Sequence, residues 1–305
     1  MRVAITGASG FIGRNLVEHL ASRGVDVQPI VRPETPLEDA ALASAFRGID
    51  VVVHLAGVVS AIDERQFISV NVDATRIVAI ATRNAGARLV HISSLAAAGP
   101  APASDPRVES DPPNPVTPYG RSKLAGEDAV KEIDGLRWTI LRPGVVYGPR
   151  DRAVLPLFRM AAFGVLPLVG NRNSAYTFVH VGDVVRSIDA AIAADAHGET
   201  MFVGHPRPVT TFEILDTVRV ALRRPVAIVQ VPQQLMPFAV GACEFAATIA
   251  GRPLPLDRWR YVEMTSNGFT CRVDRLRDRL GVVAAIDLRE GFAALADWYR
   301  RAGWI

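Results

Sequence analysis

Apolar residues change their spacing repeatedly along the first half of this chain, and each change marks an element. Val3-Ala4-Ile5-Thr6 is a short run without breakers, which reads as a buried strand. Ile12, Leu16 and Leu20 then recur every fourth residue, one face of a helix that Gly24 ends. Val25–Val31 predicts a second strand and Ala40–Phe46 a helix, with only 17 residues between Arg32 and Asp50, too few for a further full strand. Asp50–Gly57 (DVVVHLAG) is the next strand, followed by a helix over Gln66–Ala85, a strand over Arg88–Ser93, a helix over Pro118–Glu132 and a strand over Trp138–Leu141. Strands separated by helices pair parallel, so the pattern predicts an α/β fold with a doubly wound parallel sheet. Gly99–Pro118 holds seven prolines and must be a loop, long enough to form a lid or a wall.

Beyond Arg142 the pattern loosens. A helix is expected over Val184–Ala194 and a strand over Thr200–Gly204 that rejoins the sheet, then helices over Thr211–Ala221, Leu235–Ala250 and Leu288–Arg301. We expect residues 1–144 and 178–204 to form the dinucleotide-binding domain. A smaller, interleaved substrate-binding domain of residues 145–177 and 205–305 would lie over the sheet's carboxyl edge.

Composition narrows the classes. With 305 residues and 49% hydrophobic side chains the chain can bury a large core, and a net charge of +3 offers no polybasic face for nucleic acid. Two cysteines without CxxC spacing and six unclustered histidines argue against a disulfide framework and a metal site. They fit a reducing, cytoplasmic setting, as does the start of the first strand at residue 2. Leu235–Ala250, the most apolar stretch, contains Glu244 and is short of the ~20 residues that cross a bilayer. A buried or substrate-facing helix is expected there, with a membrane-surface helix as the rival.

Three glycines sit between the first strand and its helix: Gly7, Gly10 and Gly13. A strand turning on glycine into a helix presents free N–H groups and a positive dipole end to an anion. Gly7 would permit the turn, Gly10 the close approach of a pyrophosphate, and Gly13 the packing of helix on sheet, which predicts a Rossmann dinucleotide site. The tip of the second strand carries Arg32, which can meet a 2′-phosphate, and the cofactor expected is therefore NADP in preference to NAD. Glu34 is the acidic rival.

Tyr119 and Lys123 are four apart on a predicted helix that Thr117 caps and Pro118 opens, so both share one face. A nearby ammonium and the helix N-terminus should lower the phenol toward working pH, as an acid/base for alcohol–ketone conversion requires. The chain has 2 lysines against 32 arginines, so a lysine retained here is informative. Ser93 and Ser94 end a strand at the same edge, and either hydroxyl could hold a substrate oxygen beside Tyr119.

Taken together these residues resemble the extended short-chain dehydrogenases/reductases, also called the NAD-dependent epimerase/dehydratase family. TGASGFIG (Thr6–Gly13) is similar to its TGxxGxxG motif, HLAG (His54–Gly57) to its adenine-side wall, NVDAT (Asn71–Thr75) to its NVxGT, and YGRSK (Tyr119–Lys123) to its YxxxK. LRPGVVYGPRD (Leu141–Asp151) and FVHVGDVV (Phe178–Val185) are similar to further signatures. The resemblance implies Tyr119 as acid/base, Lys123 on the nicotinamide ribose, Ser94 as catalytic serine by its spacing to Gly99, and Asn71 as a structural or relay asparagine. It implies cofactor contacts at Gly7, Ser9, Gly10, Phe11, Ile12 and Gly13, at Leu55, Ala56 and Gly57, at Tyr119 and Lys123, and at Pro143 and Val145. A homodimer is also implied, packed through the helices around 66–85 and 118–132.

Departures from the family pattern narrow the chemistry. Leu95 and Ala96 stand where sugar dehydratases carry an Asp-Glu pair, so dehydration by that route is excluded. Ala98 stands where many nucleotide-sugar epimerases have tyrosine, and SSLAAAGP looks more like the 3β-hydroxysteroid dehydrogenase and dihydroflavonol reductase branches. The leading reading is an NADP-preferring oxidoreductase acting on a small, fairly apolar or glycosidic alcohol or ketone. The alternatives are a nucleotide-sugar 4-epimerase with retained NAD and a dinucleotide-sensing regulator. The intact Tyr119–Lys123 pair argues against the last. Arg172 and Arg207 are candidates to grip a substrate diphosphate.

Overall fold

Alternation within each strand builds the two layers. In the computed structural model, which describes residues 1–31, 37–194, 196–251 and 256–305, β1 (Arg2–Thr6) sends Val3 and Ile5 to one side and Ala4 to the other, all fully buried. The same period of two places Val51 and Val53 of β3 (Val51–His54) with the first set and Val52 with the second. On the first side lie α1 (Phe11–Ser22), through Leu16 and Leu20, and α7 (Val181–Ala193), through Val184, Ile188 and Ile192. On the second lie α2 (Asp39–Ala45), α4 (Ala74–Asn84) and α5 (Pro118–Lys131), which bring Leu42, Val78 and Val130 to the sheet.

Six strands pair in parallel in the order β10-β5-β4-β3-β1-β2, with β2 spanning Asp26–Ile30, β4 Arg88–Ile92, β5 Arg137–Pro143 and β10 Glu199–Val203. This is the predicted doubly wound sheet, and the late strand does rejoin it, beside β5. The chain leaves β1 toward β2 and returns on the other side with β3. The crevice between β1 and β3 is therefore the switch point where such folds bind ligands.

The expected single helix over Gln66–Ala85 is divided. Among the described residues it runs as α3 (Glu64–Ile68), a π-turn over Ser69–Asp73, and α4. The widened turn is where Asn71 leaves the helical pattern to bond other parts of the chain. The proline-rich segment is a loop as expected. It is also fastened, because Ala101 and Arg107 form bridges with Phe269 and Cys271 and make it a wall.

The remaining elements are β6 (Val145–Tyr147), α6 (Leu155–Ala162), β7 (Val165–Leu168), β8 (Ala175–Tyr176) and β9 (Phe178–His180) before α7. After β10 come β11 (Val209–Thr210), α8 (Thr211–Leu222), β12 (Ala227–Gln230), α9 (Met236–Ala250), α10 (Arg258–Thr265), β13 (Gly268–Phe269), α11 (Asp274–Leu280) and α12 (Leu288–Arg301). Here Tyr147, Phe158, Phe292 and Tyr299 pack edge to face in one aromatic cluster, with ring centroids 5.1–5.4 Å apart. The expectation of a buried helix over Leu235–Ala250 is corrected. Only Met236 and Val240 of α9 are buried, while Phe238, Phe245 and Ile249 are 70–79% exposed. Apolar composition on every side left the sequence unable to say which face packs.

Candidate active site

The glycine turn has the shape its sequence predicts. Gly7 has φ +71°, and a Cβ there would lie 2.7 Å from the Ala56 nitrogen, so β1 and the end of β3 meet in backbone contact. A Cβ on Gly13 would lie 2.2 Å from the Gly7 oxygen, which is why α1 starts against the turn without room for any side chain. Gly10 is the N-cap of α1 and supplies no side-chain acceptor, so the first helical N–H groups remain available to an anion. Ser9 is exposed beside them, and Phe11 and Ile12 pack partly against the core below. This cradle fits a pyrophosphate, and the residues present are those a dinucleotide needs. Arg32 and its rival Glu34 lie outside the described residues, so the basis for choosing NADP has no geometry here.

Leu55, Ala56 and Gly57 continue from β3 along the crevice, with Gly57 exposed and the other two half-buried. Asn71 fixes the loop that follows them. Its Oδ1 accepts from the Val58 N–H at 2.9 Å, and its Nδ2 donates to the Val58 carbonyl and to Ser122 Oγ, both at 2.9 Å. The Asn71 side chain thus has no donor left for a proton relay and holds the loop onto α5. That helix approaches closely at Gly126, where a Cβ would meet the Asn71 carbonyl at 2.4 Å.

Helix α5 starts as predicted. Thr117 accepts from the Gly120 N–H at 3.1 Å, and Pro118 opens the first turn. Tyr119 lies near Phe67, with centroids 6.2 Å apart, and the Ser94 side chain stands on the side of its phenol, where it draws the phenol's pKa down. Ser94 also caps the short 3₁₀ turn over Leu95–Ala97, accepting from the Ala96 N–H at 3.1 Å. Ser93 points elsewhere. Its hydroxyl donates to Glu127 Oε1 at 2.6 Å in the buried interior. The two serines that the sequence left as rivals are therefore separated by geometry, Ser94 toward the phenol and Ser93 away from it.

The expected lowering of the Tyr119 pKa does not appear. Burial pushes the phenol above its ordinary value; Ser94 and Arg260 oppose this, while Glu263 adds to it. The Lys123 Nζ donates to the Ile92 carbonyl at 2.8 Å. Burial brings the Lys123 ammonium down to about 8, against an upward pull from Glu127. Pro143, at the end of β5, is buried and Val145 is half-buried. They flank Gly144, where a Cβ would lie 2.2 Å from the Thr177 carbonyl.

Several participants had no signal in the sequence. Arg142 forms a two-pronged pair with Glu127, Nε to Oε1 at 2.8 Å and Nη2 to Oε2 at 2.7 Å, one turn beyond Lys123. Burial alone would raise the Glu127 carboxyl, but Arg142, Ser93 and Lys131 hold it below its usual range. His54 is held between Thr6 Oγ1 at 2.6 Å and Thr75 Oγ1 at 3.0 Å, and burial with the Lys123 charge brings it down to about 3, so it is neutral. His91 stacks on it at 5.4 Å. From α10, Arg260 and Glu263 both act on the Tyr119 phenol, and Trp259 lies 5.8 Å beneath the Arg121 guanidinium. The arginines proposed for a diphosphate are engaged otherwise: Arg172 lies over the Phe212 ring at 4.4 Å, and Arg207 pairs with Glu213 at the start of α8. No group of three or more metal-ligating side chains occurs among the described residues.

Comparison with known proteins agrees with this arrangement. The model of the NAD dependent epimerase/dehydratase family matches residues 3–204. A ceramide reductase of Caulobacter vibrioides is 30% identical over 99% of this chain and 96% of its own length. Sterol demethylase protein B of Methylococcus capsulatus is 28% identical over the full length of both. The crystal structure of Thermus thermophilus UDP-glucose 4-epimerase in complex with NAD superposes with a TM-score of 0.78 at 25% identity, covering 99% of this chain and 100% of that one. A glycine cradle at the β1–β3 crevice, a Tyr119 phenol beside Ser94, and a family match across both place this chain in the NAD-dependent epimerase/dehydratase family, as an enzyme of the extended short-chain dehydrogenase/reductase type.

Proposed function

We propose that the protein is an NAD(P)-dependent oxidoreductase that interconverts a secondary alcohol and a ketone on an apolar, lipid-like substrate. The observation that carries this reading is the placing of the Ser94 hydroxyl on the side of the Tyr119 phenol, at the start of a helix that keeps its Thr117 cap and Pro118 opening. A bound nicotinamide dinucleotide supplies or accepts the hydride. Gly7, Ser9, Gly10, Phe11, Ile12 and Gly13 would receive its pyrophosphate, Leu55–Gly57 its adenine side, and Pro143 and Val145 its nicotinamide. Ser94 orients the substrate oxygen, and Tyr119 gives its phenolic proton to that oxygen as charge develops there, or takes it back in the reverse direction. Lys123 would hold the ribose hydroxyls, and Asn71 keeps the wall of the crevice in place. A raised phenol suits proton donation in the reductive direction, since the proton is present at neutral pH.

The apolar substrate class is supported by the full-length relatives that are named as a ceramide reductase and a sterol demethylase protein. The second reading, a nucleotide-sugar 4-epimerase, is favoured by the likeness to the Thermus epimerase. The two differ in cofactor turnover. A reductase should oxidise NADPH stoichiometrically when mixed with a long-chain aliphatic ketone. Nicotinamide retained through purification, with UDP-glucose/UDP-galactose interconversion that needs no added cofactor, would give the case to the epimerase.

NADP preference, a homodimer through α4 and α5, a cytoplasmic setting and the division into a dinucleotide-binding and a substrate-binding domain belong to the same proposal. If Arg32 meets a 2′-phosphate, NADPH should bind more tightly than NADH by about 1.5–3 kcal/mol, the value of a charge-assisted hydrogen bond. Arg32→Asp should then invert the order in a fluorescence titration. Equal wild-type affinities would remove the assignment.

A further inference from the structure

Helix α10 carries charged groups to the catalytic centre although none of its residues is fully buried. Its Trp259 ring lies 5.8 Å from the Arg121 guanidinium of α5, two residues beyond Tyr119. Glu263 follows Trp259 by four residues, so its side chain leaves α10 on that same face, toward the start of α5. The far end of α10 is fastened to β8 and the turn before it. The Tyr176 hydroxyl donates to the Glu263 and Met264 carbonyls at 3.5 and 3.4 Å, and Ser174 Oγ donates to the Ser266 carbonyl at 3.1 Å. The Glu263 charge acts on two phenols, those of Tyr119 and Tyr176.

The ion pair that Glu263 forms is unequal. Arg260 Nη1 donates to Glu263 Oε2 at 3.3 Å, but the Arg260 side chain is 48% exposed and that of Glu263 only 21%. The guanidinium keeps its water, whereas the carboxylate has given up most of its own. An ionised carboxylate offers about four lone-pair sites, and one half-solvated guanidinium fills a single one of them. Burial raises the Glu263 carboxyl above its usual range, Asp257 adds to this, and Arg260 and Thr117 offset it only in part. A desolvated acceptor short of donors costs free energy, which a donor arriving with a ligand restores. Carboxylate and guanidinium together are neutral. A neutral O–H or N–H therefore fits beside them, whereas a cation would meet Arg260 and an anion would meet Glu263.

We propose that Glu263 is a specificity-determining residue, whose carboxylate accepts a hydrogen bond from a neutral O–H or N–H group that the substrate carries close to its reacting carbonyl. An acceptor on the face of α10 that looks toward Tyr119 meets whatever substituent lies next to the carbon that Ser94 and Tyr119 engage. Lipid-like ketones with a donor-bearing head are then preferred to plain aliphatic ketones. Arg260 is a positioning residue, which holds the carboxylate by Oε2. This deepens the functional reading above and rests on it for the carbonyl chemistry, but the contact itself is measured by binding, without turnover.

The test is isothermal titration calorimetry of 1-hydroxydecan-2-one and decan-2-one into the full-length protein. The protein is saturated with NADP⁺ or NAD⁺, whichever binds more tightly, a complex in which neither ketone can be reduced. Wild type should bind the hydroxyketone at least about ten-fold more tightly than the plain ketone, the effect of one charge-assisted hydrogen bond. Glu263→Met should bring that ratio close to one. Glu263→Gln, which keeps a neutral acceptor at the same length, should restore part of it. Each ratio is taken within one variant, so a general loss of affinity or a fraction of unfolded protein does not change it. If Glu263→Met fails to fold, a fall of the ratio below wild type in Glu263→Gln decides the same point. Equal binding of the two ketones by wild type, binding of neither, or a ratio that survives the substitution overturns the proposal. The expected ratios with no oxidation of NADPH by the hydroxyketone would instead remove the functional reading and leave the contact standing.

Discussion

Tyr119→Phe is expected to lower turnover by about 10²- to 10⁴-fold with little change in cofactor affinity. The substitution keeps the ring against Phe67 and removes only the hydroxyl on the Ser94 side. Proton transfer to the substrate oxygen then has no positioned donor, while the glycine cradle is untouched. Steady-state rates on the reducible ketone, with NADPH binding followed separately by fluorescence, check both halves. Near-wild-type turnover would remove Tyr119 from the mechanism. The phenol is held above its usual value, so the wild-type rate of reduction should stay flat through neutral pH, not fall as a depressed tyrosine would make it.

Arg142→Met should cost about 3–5 kcal/mol of stability, the consequence of leaving one member of a buried pair without its partner. Arg142 and Glu127 have side chains only 6% and 0% exposed, and the substitution leaves the carboxylate with Ser93 and Lys131 alone. The sign with pH follows from the folded state. Glu127 is held below its unfolded value, so its contribution is fully present above about pH 4.3, the ordinary glutamate value, and is lost as pH falls through the depressed one. The gap between wild type and variant in chemical denaturation should therefore be largest near neutrality and shrink in acid. A neutral-pH loss below about 1 kcal/mol, the range of an exposed pair, would show that the ion pair does not bear on stability. Glu127 stands one helical turn after Lys123, so a weakened NADPH affinity in the same variant is expected as well.

Elements whose identity depends on local pattern were legible without coordinates. The Gly7–Gly13 turn, the Thr117 cap and the Pro118 helix start are each decided by residues within a few positions of one another, and all three have the expected geometry. Tyr119 and Lys123 share a helix face for the same reason. What the sequence could not supply were consequences of distance. Ser93 and Ser94 are equivalent as adjacent letters, and only Glu127, 34 residues beyond Ser93, draws one of them away. The Tyr119 pKa was expected to fall because the ammonium is near in sequence. It rises because burial acts on the phenol and Glu263 of α10 adds to it.

By itself, then, the sequence determined the parallel α/β sheet, the order of its elements, the cradle between β1 and α1, and the residue types for proton transfer. Each of these follows from short-range periodicity and backbone sterics, which are properties of neighbouring residues. Tertiary structure alone decided that the helix over Gln66–Ala85 opens into a π-turn around Asn71, that Arg142 and Glu127 meet in the interior, and that α10 stands over Tyr119. It also decided which side of α9 remains uncovered. A helix apolar on every side carries no moment to orient it, so its inner and outer faces are set by what packs against it.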